Sequence, residues 1–327
     1  MESKYIDLLS DLGFKKIFGK EGVSEEFLID FLNELFHDDP ELRNIVSIRY
    51  KNGEKSPNHV EEKASHYDIF CETDTGHRFI VEMQKQNKLH FRDRVTYYMS
   101  RDIVEQGIGA RTSGGWNYDL IPVVGVFLTA FFVEGLDKKL VVHGRFVDPS
   151  TGKTVLDKMR CVFIQLSAFN KSADECESGF DKWIYVLKNM EKLQDIPFAT
   201  YKNRIFERVA ATSRVATLSE AERMQYDREL KWVRDYNAEM EYARHIGEQK
   251  GIAEGRAEGI AEGRAEGRAE GIAEGRAEGR AEGRAEGIAE GRAETSLEIA
   301  KRMKESGMTV EQIAEFTGLP VGKVKAL

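Results

Sequence analysis

Asp68 and Glu82 stand fourteen residues apart, and Gln84 follows two residues later. Two carboxylates and an amide form a set of hard oxygen donors. Such a set suits Mg²⁺, which prefers octahedral oxygen coordination, keeps several waters and is usually held by one or two carboxylates plus a substrate phosphate. A metal held in this way activates water and neutralises charge on the phosphate. None of this chemistry is available unless the three side chains meet, and an Asp and a Glu on an exposed sheet face are otherwise only solvated acids.

The residues from Tyr67 to Gln84 read as a β-hairpin that brings them together. Both arms, Tyr67–Thr73 and Arg78–Gln84, are dense in β-branched and aromatic residues, and Asp74-Thr75-Gly76 has turn chemistry. With Asp74 and Thr75 in a type I turn and Gly76 left-handed, the loop has three residues and Thr73 faces His77, which sets Asp68 opposite Glu82. Strand side chains alternate, so Glu82 and Gln84 share the face of Asp68, while Phe79, Val81 and Met83 take the apolar side. A two-residue loop would put Asp68 opposite Met83 and scatter the polar set.

An Asp, an apolar strand and then Glu82-x-Gln84 resembles the active-site core of the PD-(D/E)XK nuclease superfamily, in the version with Gln in place of the last Lys. Tyr67 stands where the superfamily name has Pro. Asp11–Gly19, the helix Phe27–Asn33, Arg94-x-x-x-Tyr98 and a Gly-Arg-Ala-Glu tail are similar to the Rpn family of recombination-promoting nucleases, also described as PD-(D/E)XK transposases. The resemblance implies an α/β, restriction-endonuclease-like core, a mixed central sheet flanked by helices, and a long helical or low-complexity tail. It implies a metal-dependent DNA endonuclease linked to recombination, transposition-related or defence processes. Asp68 and Glu82 would hold a divalent metal, Mg²⁺ or else Mn²⁺ or Ca²⁺, and Gln84 would position water or phosphate. A neutral amide cannot supply the charge of the missing Lys, so Lys63, Lys85 or Lys15 would have to, or the chain is an inactive nuclease fold kept for DNA or protein binding.

Length and composition bound these readings. The 327 residues, 41% apolar, can bury one substantial core plus an appendage. A net charge of −8 exerts no global pull on nucleic acid, so a DNA surface has to be local. Cys71, Cys161 and Cys176 form no zinc or disulfide pattern, which fits a reducing compartment. No signal peptide and no apolar run near the ~20 residues of a membrane span is visible, so a soluble cytoplasmic protein is expected.

Along the chain, Asp11–Phe18 has the spacing of a packing turn, although the resemblance sets Asp11 and Lys15 near the cleft. Ser24 begins an amphipathic helix through Leu35, on which Glu26 and Glu34 are either solvated or extra metal ligands. Ile45–Tyr50 alternates like a strand. Phe91–Gln106 reads as a helix with Phe91, Val95, Tyr98, Met99 and Val104 toward one side. Arg94 and Tyr98, four apart, form either a phosphate clamp or part of an ordinary salt-bridged helix. Ile121–Thr129 is a continuous apolar run, expected of a strand buried on both faces. Val141–Phe146 and Cys161–Leu166 supply further strands, and Ser219-x-x-Glu222 is a capping box.

From Gly251, eleven copies of Gly-(Arg/Ile)-Ala-Glu run to Glu294. The four-residue period stacks Glu on Glu and Arg on Arg, never Glu on Arg, and its glycines cost roughly 10 kcal/mol in all against helix. A marginal helix serving as a spacer follows. Beyond it, Leu297, Ile299, Ala300 and Met303 form a stripe, and Thr309-x-x-Gln312 caps a helix over Ile313 and Phe316, which resembles a helix-turn-helix; a dimerisation cap fits equally well. The expected layout is a nuclease-like domain over 1–217, a connecting helix over 218–250, the repeat over 251–294 and a small helical segment over 295–327. Partners expected are DNA, no membrane, and a second copy through the C-terminal helices.

Overall fold

The computed structural model describes residues 3–22, 24–51, 54–55, 65–111, 118–202 and 204–327. Lys63 falls outside them. The described chain divides into two units, Met1–Asp235 and Tyr236–Leu327.

In the first unit the described residues build a six-stranded mixed sheet in the order β1 (Ile48–Tyr50), β4 (Ile69–Thr73), β5 (Arg78–Gln84), β6 (Val123–Thr129), β8 (Thr154–Gln165) and β7 (Val141–Val147). A separate two-residue ladder pairs β2 (Glu54–Lys55) with β3 (Ser65–His66). The central pairs β5/β6 and β6/β8 are parallel and the outer pairs antiparallel. Parallel strands need a crossover. Between β5 and β6 that crossover contains α3 (Phe91–Arg111). The α/β expectation of a mixed sheet flanked by helices therefore holds, and the run 123–129 is buried at every position.

Period-2 alternation divides the strands between two cores. Ile69, Cys71, Phe79, Val81, Val124, Val126 and Leu128 join one core with α1 (Asp11–Phe18), α2 (Glu25–Leu35), α4 (Gly179–Asn189) and α5 (Ile205–Thr212). Phe70, Ile80, Val123, Phe127 and Phe163 pack on the other face against Phe91, Val95 and Met99 of α3. A Cβ on Gly125 would meet the Phe127 ring at 2.4 Å and Met99 Sδ at 3.0 Å, so a bare backbone at that point lets α3 lie close to β6.

Several elements differ from expectation: β8 begins at Thr154 rather than Cys161, and α3 runs to Arg111, past Gln106. β1 begins at Ile48 rather than Ile45, because the Ile45 amide donates to Asn33 Oδ1 (2.8 Å) and those of Val46 and Ser47 to Asp74 Oδ1 (3.0 and 3.1 Å). Side-chain acceptors take the donors that a strand ladder would use. Val104 is exposed, since five helical residues rotate it well away from Met99.

The last long helix, α6 (Glu220–Glu305), starts at the expected box: Glu222 N–H donates to Ser219 Oγ and Ser219 N–H to Glu222 Oε2. Its first turns belong to the first unit. There Tyr226 is buried and its hydroxyl accepts from the Asp7 amide at 2.8 Å. The same helix continues through the repeat, where among the described residues no ion pair joins Arg to Glu.

Within the second unit, Ala300 of α6 meets Ile313 of α7 (Val310–Thr317) and Val324 of α8 (Val321–Ala326). Ile299 and Phe316 face outward, against the expected stripe. No helix among the described residues is long and apolar enough to cross a membrane.

Candidate active site

The hairpin sets the register of the site. Cys71 pairs with Phe79, Phe70 with Ile80 and Ile69 with Val81, so the next step puts Asp68 opposite Glu82. Thr73 N–H donates to His77 O (2.9 Å) and Gly76 N–H to Thr73 O (3.0 Å), closing the three-residue turn, with Gly76 at φ +76°. Phe79 and Val81 point into the larger core, as expected, which leaves Asp68, Glu82 and Gln84 on the face of α3.

These acids occupy a costly position. Asp68 Oδ2 accepts from the Met83 amide at 2.9 Å. Glu82 is only 6% exposed, and its Oε1 is buried without a hydrogen-bond partner. Burial, followed by the nearby Asp68 charge, pushes the Glu82 carboxyl up to about 8, with Arg94 acting in opposition. Burial also raises Asp68, against the pull of the Met83 amide and Lys15. A buried carboxylate oxygen without a donor is expensive, and a bound cation removes that cost. Among the described residues no group of three or more His, Cys, Asp or Glu is arranged to hold a metal. The two carboxylates make a donor set for a divalent cation that keeps waters among its ligands.

Other candidates converge on the pair. Lys15, on α1, is 2.7 Å from Asp11 Oδ1 and 4.0 Å from Asp68 Oδ1. Burial works against its charge, but the Asp11 hydrogen bond and the charges of Asp11, Asp68 and Glu229 outweigh it and raise its pKa. From α3, Arg94 Nη2 donates to Gln84 Oε1, and its guanidinium lies 5.4 Å from the Phe91 ring and 5.7 Å from that of Tyr98. Gln84 Nε2 donates to Gln86 O at 3.0 Å. Tyr67 anchors the first arm to this helix, its hydroxyl donating to Tyr98 O at 3.0 Å.

Some candidates are engaged elsewhere. Lys85 pairs with buried Asp7, Glu26 with Arg208, and Glu34 accepts from Tyr201 and Lys202. Sequence spacing did not point to Asp7, a buried acid that both ties Lys85 and accepts from the Leu9 amide. Its only signal was an acid amid apolar neighbours.

A family profile described as PD-(D/E)XK nuclease family transposase matches residues 8–243. No curated protein and no solved structure gives a significant match.

Proposed function

The chain belongs to the PD-(D/E)XK nuclease family transposases, and from that membership we propose that it is a metal-dependent endonuclease that hydrolyses phosphodiester bonds of DNA. The carrying observation is the pair of opposed acids, Glu82 buried and Asp68 partly so, with the unpartnered Glu82 Oε1. Asp68 and Glu82 hold the divalent ion, Mg²⁺ by its ligand chemistry. When bound, that ion supplies an activated water and neutralises charge on the phosphate.

The chain's own residues do the rest. The Met83 amide fixes the Asp68 carboxylate. Lys15, on the Asp68 side, supplies the positive charge that the neutral Gln84 lacks, whereas Lys85 is committed to Asp7. Arg94 and Tyr98 contact the strand's phosphate, and Gln84, its carbonyl oxygen turned to Arg94, aligns that guanidinium.

Supercoiled plasmid incubated with the full chain and Mg²⁺, Mn²⁺ or Ca²⁺ tests this, beside Asp68→Ala. Metal-dependent nicking lost in the variant is the expected result; nicking that survives it refutes the assignment. The neutral Gln84 favours one second reading, an inactive fold retained for binding, which predicts DNA retention without nicking under every metal.

A further inference from the structure

Beside Gln84 a cleft of about 260 Å³ opens between the segment before α1, the chain leaving β5 and the first turns of α6. The larger part of its exposed lining is apolar, from Leu9, Met83, Leu230 and Val233, with the half-exposed Trp232 among them. Asp7, Ser10, Asp11, Lys85 and Glu229 also line it, with Asp7 paired to Lys85 and Asp11 to Lys15, and two polar groups near Gln84 bear on what it can hold. Gln86 lines the cleft, and its Nε2 is buried without a hydrogen-bond partner; Lys88 stands exposed at the edge.

Each feature selects a property of the ligand. A mainly apolar lining carrying an indole favours a flat aromatic group, because aromatic side chains give a stacking platform to any base. The unpaired amide donor of Gln86 asks for an acceptor on that group's edge, since a buried donor left unsatisfied is costly. Lys88 asks for a nearby anion. At about 260 Å³ the cleft lies below the roughly 300–1,000 Å³ of sites for drug-sized ligands, so one base fits and a duplex edge does not.

Position supplies the remaining step. Gln84 is shared by the cleft and by the acid face, and its Nε2 donates to the backbone of Gln86. We propose that the cleft receives an unpaired nucleobase from the DNA strand that crosses Asp68 and Glu82, so that this protein prefers DNA unpaired next to the cut. The strand's identity rests on the nuclease reading; the base site rests on the cleft. A base held there has left its stack, which costs least where the DNA is already mismatched or single-stranded.

The test uses the full chain as Asp68→Ala, to prevent cleavage, and two duplexes that differ only in a short unpaired flap carrying 2-aminopurine. The flap substrate should bind about tenfold more tightly than the matched duplex, with quenched fluorescence, as one added base stack would give. Adding Trp232→Ala should bring the two affinities together and abolish the quench, and Trp232→Phe should restore both. Equal binding of the two substrates, or a preference that survives Trp232→Ala, overturns the proposal. Plasmid nicking by the unsubstituted chain without any flap preference removes the base site alone. A flap preference without nicking under any metal removes the nuclease reading alone and leaves the base site standing.

Discussion

Burial fixes the ionisation of Glu82 before any ligand arrives. Its folded pKa, near 8, lies above the ordinary carboxylate range, so between roughly pH 4.5 and 8 the folded chain keeps a proton that the unfolded chain has released. Stability of the metal-free protein should therefore fall as pH rises through that window. Urea denaturation at pH 5, 6.5 and 8 checks it: Glu82→Gln should flatten the decline, and an unchanged slope would place the titration elsewhere. Divalent metal must displace the same proton, so its affinity should rise over the same range. A second expectation concerns Lys15, whose ammonium sits 4.0 Å from Asp68 Oδ1. Lys15→Met should lower kcat on the order of 10²-fold, the scale of losing one preorganised donor. Equal rates for Lys15→Met and the unsubstituted chain would leave the cation role unfilled.

The hairpin turn is where one residue controls an element. Gly76 has φ +76° and open space where a Cβ would stand, so substitution there tests backbone strain without a clash. Gly76→Val should cost about 1–2 kcal/mol and weaken metal binding by calorimetry without touching a ligand; unchanged metal affinity would separate the turn from the site. The hairpin was legible in the sequence because everything that determines it is local: alternation, the Asp-Thr-Gly turn and the register these impose. The start of β1 was not, because Asn33 and Asp74, remote from it in sequence, take the amides of Ile45, Val46 and Ser47. Nor did the spacing of Asp11–Phe18 reveal that Lys15 approaches Asp68, since only the packing of α1 under the sheet brings residues 53 positions apart together. Lys85, equally plausible by sequence, is withdrawn by Asp7, a buried acid with no local signature.

Across the chain, the opening turns of α6 belong to the first unit and are tied into it. Lys16 and Lys20 pair with Glu222 at 2.7 and 2.9 Å, Tyr226 is buried, and the Leu12 amide donates to Glu229. Deleting residues 251–294 while keeping 220–250 should therefore leave the first unit's melting temperature nearly unchanged. A drop of about ten degrees or more would mean that the repeat itself supports the core. Inside the repeat the period decides the response to salt. Glu recurs every fourth residue, neighbouring Arg copies do the same, and Glu never stands three or four from Arg. Stacked like charges at that spacing cost about 0.2–0.5 kcal/mol per pair, and salt screens them. Helices stabilised by Glu–Lys pairs lose helicity as salt is added; a peptide spanning 251–294 should gain it. Circular dichroism at 222 nm from low to near-molar NaCl decides the matter. A fall in helicity would show that attractive Arg–Glu contacts, absent from the helix as the structure has it, hold the repeat together.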